Sequence, residues 1–259
     1  RFLDWYLEQA RDAEKAEGKR LIDYLDVHWY PEVQAGDQRI VSDQVTPDVV
    51  AARVQAPRSL WDPKYEERSW IRDKIQGPIK LVPWLKARIR AHYPGTKLAI
   101  TEWNYGGGNH ISGAIAVADV LGIFGRQGVD LAAYWWMHGN EPFARAAFRI
   151  YRNYDGRGGS FGDVSIDAAS SDTATATVYA SVESVNQARI VIVVINKTEQ
   201  PKRAGIKLAH RVVYGKAQVF VLARDEAVVK PSSTLTPVAT NAFAYDMPPH
   251  SISVVIPET

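Results

Sequence analysis

The chain has no cysteine, so no disulfide can form and the redox compartment is left open. It has no apolar run long enough to span a bilayer, and no membrane is expected among its partners. Neither charge is in excess: 31 Lys and Arg stand against 29 Asp and Glu, for a formal net charge of +2. The basic residues are scattered rather than clustered, so nucleic acid is not favoured over a neutral partner. No His, Asp and Glu cluster has convincing metal-ligand spacing, and no acidic calcium-type loop is present. No cofactor is therefore expected for chemistry, while a structural metal ion stays open. A secretory leader is not visible either. Arg1 reads as the middle of a helix, and the chain is expected to continue upstream of it.

What the chain does have is aromatic side chains. There are 8 Trp and 12 Tyr in 259 residues, and several fall in expected loops, where burial is not their obvious purpose. Hydrophobic content of 46% and charged content of 23% are those of an ordinary globular protein, with room for one large or two smaller domains.

The stretch 97–109, KLAITEWNYGGGN, reads as a short buried strand that runs out at Glu102 and opens into a glycine loop. A parallel strand of an α/β barrel ends in this way where its tip carries chemistry. Upstream, residues 1–17 place Leu3, Tyr6, Leu7, Ala10 and Ala13 on one face of a helix that stops at Gly18. Residues 21–27 form an apolar-rich strand, with His28, Trp29 and Tyr30 at its end and Pro31 closing it. Residues 37–43 are polar and loop-like. Residues 59–70, SLWDPKYEERSW, have no clean period and read as a binding loop carrying Trp61, Tyr65 and Trp70. A helix begins at Pro78, with Ile79, Val82, Leu85 and Ile89 inward. After the Glu102 strand, Asn109 or Ser112 caps a helix with Ile111, Ile115, Ala118 and Leu121 as its stripe, closed by Gly125. Residues 129–136 form a third buried strand ending in Tyr134, Trp135 and Trp136.

Beyond Tyr151 the texture changes. Residues 153–163, NYDGRGGSFGD, are turn-rich. Short β-rich runs follow at 173–182, 189–196, 204–208, 218–223 and 251–256, the pattern of an all-β module, most simply a sandwich. The first part has the grammar of a βα barrel but only three strands, whereas a complete barrel takes about 250 residues. It reads as the second portion of a barrel spanning residues 1–157, with a β-sandwich over 158–259. Three strand tips, His28-Trp29-Tyr30, Glu102-Trp103-Asn104 and Tyr134-Trp135-Trp136, then share one mouth. A carboxylate beside flat aromatic faces and a phenol suits sugar rings.

Four stretches together, ITEWNYGGGNHISGAIAVADVLGIFG, LDVHWYPE, SLWDPKYEERSW and FRIYRNYDG, resemble glycoside hydrolase family 44. The resemblance covers most of residues 1–160 and continues weakly through the β module. It implies a retaining endo-β-1,4-glucanase, secreted, with a TIM-like (β/α)8 barrel followed by a β-sandwich. Glu102 of the T-E-W-N motif is the implied nucleophile, with Tyr30 donating a hydrogen bond to it and Asn104 beside it. His28 is either a positioning residue or a satisfied core histidine. Trp29, Trp61, Trp70, Trp103, Tyr105 and Trp135 are candidate sugar-stacking residues, while Trp136 is expected to point the other way. The implied partners are a β-1,4-glucan and an N-terminal segment of the same protein, continuous or nicked. The acid/base Glu is expected in that segment. Asn140-Glu141-Pro142 has the look of an acid/base signature, but it follows the last strand, and Glu32 reads as a loop carboxylate. Asn153-Tyr154-Asp155-Gly156 reads as a turn. A related hemicellulase acting on xyloglucan or xylan, or a glycan-binding protein that does not cleave, are the alternatives.

Overall fold

The computed structural model describes residues 1–135 and 140–259. Trp136 lies outside the described residues. α1 (Phe2–Glu17) buries Leu7 and Ala10, although Tyr6 and Ala13 of its expected face are exposed. It stops at Gly18, whose φ of 68° lets its N–H reach Glu14 O at 2.9 Å. β1 (Tyr24–Trp29) starts later than the apolar run at Leu21 implied and takes in His28 and Trp29. A hairpin of β2 (Gln34–Ala35) and β3 (Gln38–Arg39) follows. Then come α2 (Pro47–Gln55), a 3-10 turn (Ala56–Leu60), α3 (Trp70–Ile75) and α4 (Leu81–His92). β4 (Lys97–Trp103), α5 (Ile111–Gln127), β5 (Leu131–Tyr134) and α6 (Pro142–Arg152) complete this half.

β1, β4 and β5 form a parallel sheet in the order β1-β4-β5. Leu25, Trp29, Leu98 and Ile100 are buried with the helices. Tyr24, Asp26 and Leu131 are exposed. α5 is buried almost all round rather than along one stripe, as expected of a helix with apolar neighbours on every side. The His110 imidazole, not Asn109 or Ser112, caps it by accepting from Ser112 N, and it ends at Gly128 rather than Gly125.

The second half is antiparallel. Its strands are β6 (Val164–Ile166), β7 (Ala176–Val182), β8 (Ile190–Asn196), β9 (Lys202–Lys207) and β10 (Lys216–Ala223). β11 (Glu226–Pro231), β12 (Pro237–Ala239), β13 (Ala242–Met247) and β14 (Ser251–Glu258) follow. One sheet runs β11-β10-β14-β8-β7-β6 and the other β12-β13-β9. β8 shows why its sequence, IVIVVIN, does not alternate. Ile190, Ile192 and Val194 face the smaller sheet, while Val191, Val193 and Ile195 join the core built around α5 and α6. Both faces are dry.

That shared core is locked by charge. Asp119 of α5 and Lys197 after β8 are fully buried and pair at 2.5 Å, and Asp119 also accepts from Thr177 Oγ1 and Tyr179 OH, each at 2.6 Å. Gly122 lets β7 come this close, because a Cβ there would stand 2.3 Å from the Tyr179 ring. Removing one member of a buried pair strands the other charge. Lys197→Met is therefore expected to cost about 3 kcal/mol, read from denaturant melts of the intact protein. A loss under about 1 kcal/mol would mean that the two hydroxyls satisfy Asp119 unaided.

Candidate active site

Strict alternation along β4 would send Glu102 to the same side as Leu98 and Ile100, into the core. A bulge prevents this. Val27 pairs with Ile100 but His28 with Glu102, and on the other edge Ile100 pairs with Ala132 but Trp103 with Tyr134. Both registers slip between Ile100 and Trp103, so β4 carries one extra residue there. A bulge of this kind re-aims the side chains that follow it. Glu102 is turned to the side of His28, and Trp103 takes the core position instead.

One oxygen of Glu102 has two close neighbours, of which Tyr30 makes the hydrogen bond. Tyr30 OH donates to Oε2 at 3.1 Å, and His28 Nδ1 lies 3.2 Å from the same atom. Burial and the neighbouring carboxylate push the Tyr30 phenol up to about 12, so it stays a donor at neutral pH. His28 is half exposed, which sets aside the core-histidine reading. The side-chain amide of Asn104 bonds to backbone rather than to Glu102. Its Nδ2 donates to Trp135 O at 2.7 Å and its Oδ1 accepts from Gly106 N at 2.6 Å, bracing the loop and Trp135 together.

Beside this group lies a cavity of ≈ 290 Å³, lined by Tyr30, Ser42, Asp43, Asn104, Trp135 and Glu141 together with Gly106, Gly107 and Gly108. Trp135 is 51% exposed there. Glu141, whose place after β5 counts against an acid/base role, nevertheless faces this cavity and accepts from Tyr134 OH at 3.3 Å. Gly108 makes room for it, since a Cβ would stand 2.6 Å from Glu141 Cγ. Ser42 and Asp43 had no signal in the sequence beyond a polar loop.

Several expected stacking residues are corrected by burial. Trp29, Trp103 and Tyr105 are 7%, 1% and 0% exposed, and no sugar can reach a ring that is already packed on both faces. Trp29 Nε1 donates to Tyr105 OH at 3.1 Å, and Trp103 stands edge-on to Phe124 and Tyr134. Trp61 is half-buried, with the Arg126 guanidinium 4.2 Å over its ring. Arg126 belongs to the last turn of α5, about 20 Å along the helix from the glycine loop that precedes its first turn. Trp61 is therefore remote from the cavity. Trp70 is 62% exposed at the start of α3 and does not line the cavity.

Among the described residues no group of three or more His, Asp or Glu is placed to hold a metal ion. Asn153-Tyr154-Asp155-Gly156 is a turn in which Asp155 Oδ1 accepts from the N–H of Arg157 and of Gly159.

A family model described as glycoside hydrolase family 44 matches residues 1–33. Endoglucanase A of Paenibacillus lautus is 46% identical over 96% of this chain. A solved family 44 endoglucanase produced by Clostridium acetobutylium superposes over 99% of it, with a TM-score of 0.95 at 37% identity. The chain belongs to glycoside hydrolase family 44. A family 44 xyloglucanase of Paenibacillus polymyxa, solved with xyloglucan, superposes over all of it, with a TM-score of 0.95 at 40% identity. This family 44 chain spans 36% of the length of the P. lautus relative and 51% of each of these two solved chains.

Proposed function

We propose that this chain is the C-terminal portion of a retaining endo-β-1,4-glucanase, in which Glu102 is the nucleophile. The observation that carries the reading is the bulged tip of β4, where Tyr30 OH donates to Oε2 of Glu102 and His28 Nδ1 stands 3.2 Å from the same oxygen, beside an aromatic-walled cavity. Holding Oε2 fixes the carboxylate and leaves Oε1 to attack an anomeric carbon. The leaving oxygen takes its proton from a second carboxyl group, and water then hydrolyses the glycosyl-enzyme. Two carboxyl groups suffice for this displacement, and no cofactor enters it. A protein that only binds glycan has no use for a carboxylate fixed in this way. The family and the endoglucanase relative support the enzyme reading.

In this reading residues 1–157 belong to a TIM-like barrel. Among the described residues β1 and β5 are the edges of the parallel sheet, and Tyr24 and Leu131 on them are largely exposed. Chain upstream of Arg1, continuous or nicked and still associated, supplies the remaining strands and the acid/base Glu. Residues 158–259 are a β-sandwich that borrows a strand from the same segment. A cavity of ≈ 510 Å³ lies beside the edge strand β9, lined by aliphatic residues such as Ile192, Val194 and Ile206 and by polar ones such as Asp172, Thr177 and Lys202, and a sheet edge is where a further strand can add. No helix among the described residues is long and apolar enough to cross a membrane. A polymeric substrate places the enzyme outside the cell.

The test is the stereochemistry of the first product from a soluble β-1,4-glucan followed by NMR. A retaining enzyme releases the β-anomer first, with the acid/base carboxyl about 5 to 5.5 Å from Glu102. The α-anomer first would make Glu102 a general base. The xyloglucanase relative favours a second reading for the substrate alone, decided by comparing kcat/KM on xyloglucan and carboxymethylcellulose.

A further inference from the structure

Arg53 is fully buried in α2, yet among the described residues no carboxylate forms an ion pair with it. Its guanidinium is surrounded by oxygen atoms of other kinds. Nη2 donates to Ile40 O, Ser42 O and Gln44 O at 2.8, 2.9 and 2.9 Å. Nε donates to Ile40 O and Tyr105 O at 3.2 and 3.1 Å, and Nη1 to Ser112 Oγ at 2.9 Å. One side chain thus joins three parts of the molecule: residues 40–44, the loop after Glu102, and the first turn of α5. A buried cation is costly to keep, and a rigid planar fork is the one side chain that reaches so many fixed acceptors at once.

The glycines of the loop are shaped around it. Gly106 and Gly107 have φ of 71° and 62°, in the left-handed region. A Cβ on Gly107 would stand 2.6 Å from the Arg53 guanidinium, and one on Gly106 would stand 2.5 Å from Ser42 N. Gly107 N also donates to Ser42 O at 2.9 Å. The two strips that Arg53 ties together both line the cavity beside Glu102, the first with Val41, Ser42 and Asp43 and the second with Gly106 to Gly108.

We propose that Arg53 is a positioning residue that sets the walls of the glucan-binding cavity in advance of substrate. It touches neither Glu102 nor the two groups beside its Oε2. The inference rests on the proposed glucanase reading, because it takes that cavity as part of the substrate cleft. A wall set in advance spares the substrate the entropy of ordering two loops, so its loss falls on binding and only slightly on the chemical step. Burial lowers the Arg53 side chain to about 10, which still leaves it cationic at neutral pH.

The test uses the full-length enzyme with Arg53→Lys, which keeps the charge and loses the fork, and Ser112→Ala, which removes a single bond to it. Arg53→Lys is expected to raise KM for a soluble β-1,4-glucan about tenfold, with kcat within about threefold of wild type. Amide exchange should quicken in residues 42–44 and 105–108 and stay unchanged in the β module. Ser112→Ala should move the same quantities in the same direction by about threefold, and it carries the test if Arg53→Lys does not fold. A fall in kcat at constant KM, unchanged exchange in both strips, or exchange quickened uniformly through the chain would each overturn the proposal. Wild-type enzyme that binds no glucan would overturn the glucanase reading and this inference with it. That failure is recognised before any variant is made.

Discussion

Glu102→Gln is expected to lower turnover of a soluble β-1,4-glucan by more than about a thousandfold while leaving the fold intact. Such a loss corresponds to a barrier raised by roughly 4 kcal/mol. An amide cannot form the glycosyl ester. Glutamine keeps the shape of the side chain, and its carbonyl oxygen can still accept from Tyr30 OH, which sits 3.1 Å from Oε2 in the native protein. The thermal melt should therefore match wild type, so that lost activity reports chemistry and not unfolding. Near wild-type turnover in Glu102→Gln would remove the nucleophile assignment.

The second large effect concerns the chain as a whole: residues 1–259 by themselves are expected to be inactive and poorly folded. Among the described residues the parallel sheet has two unpaired edges, and Tyr24 and Leu131 on it are 40% and 44% exposed. Phe2, Trp5 and Tyr6 of α1 are all exposed, with the Phe2 ring against the other two. A few hundred Å² of such surface left in water forfeits about 25 cal/mol per Å², or several kcal/mol, which is comparable to a whole domain's stability. Expressing residues 1–259 with and without the upstream segment, and measuring both the melt and the release of reducing ends, decides the matter. Activity should appear only when the two are together. A cooperatively melting, glucan-cleaving 259-residue protein would contradict the reading of the open sheet.

Some of the site was legible in the sequence and some was not, for identifiable reasons. Glu102 stood out because a strand ended on it among aromatics and glycines. Trp29 is in phase with Leu25, two strand periods away, and counting by twos would have put it in the core beforehand. Trp103 defeats the same count, because the extra residue in β4 reverses the phase and no residue type there announces a bulge. The β-rich runs at 189–196 and 251–256 correspond to β8 (Ile190–Asn196) and β14 (Ser251–Glu258), although IVIVVIN gives no alternation. That run became intelligible only when a second covered face was seen. α2 opens with an ordinary helix start, Thr46 followed by Pro47, but its nine residues are too few for a clear apolar stripe, and Arg53 lies within them. A single arginine on a short helix carries no sign that carbonyl groups from distant segments will converge on it.

The most direct measurement is to trap the intermediate on the full-length enzyme. A 2-deoxy-2-fluoro cello-oligosaccharide with a good leaving group slows the second step of a retaining glycosidase more than the first, so the glycosyl-enzyme accumulates. Digestion and mass spectrometry should then find the sugar ester on the peptide carrying Glu102, and none in Glu102→Gln. A label on another carboxylate, Glu141 included, or full inactivation with no covalent adduct, would contradict Glu102 as the nucleophile.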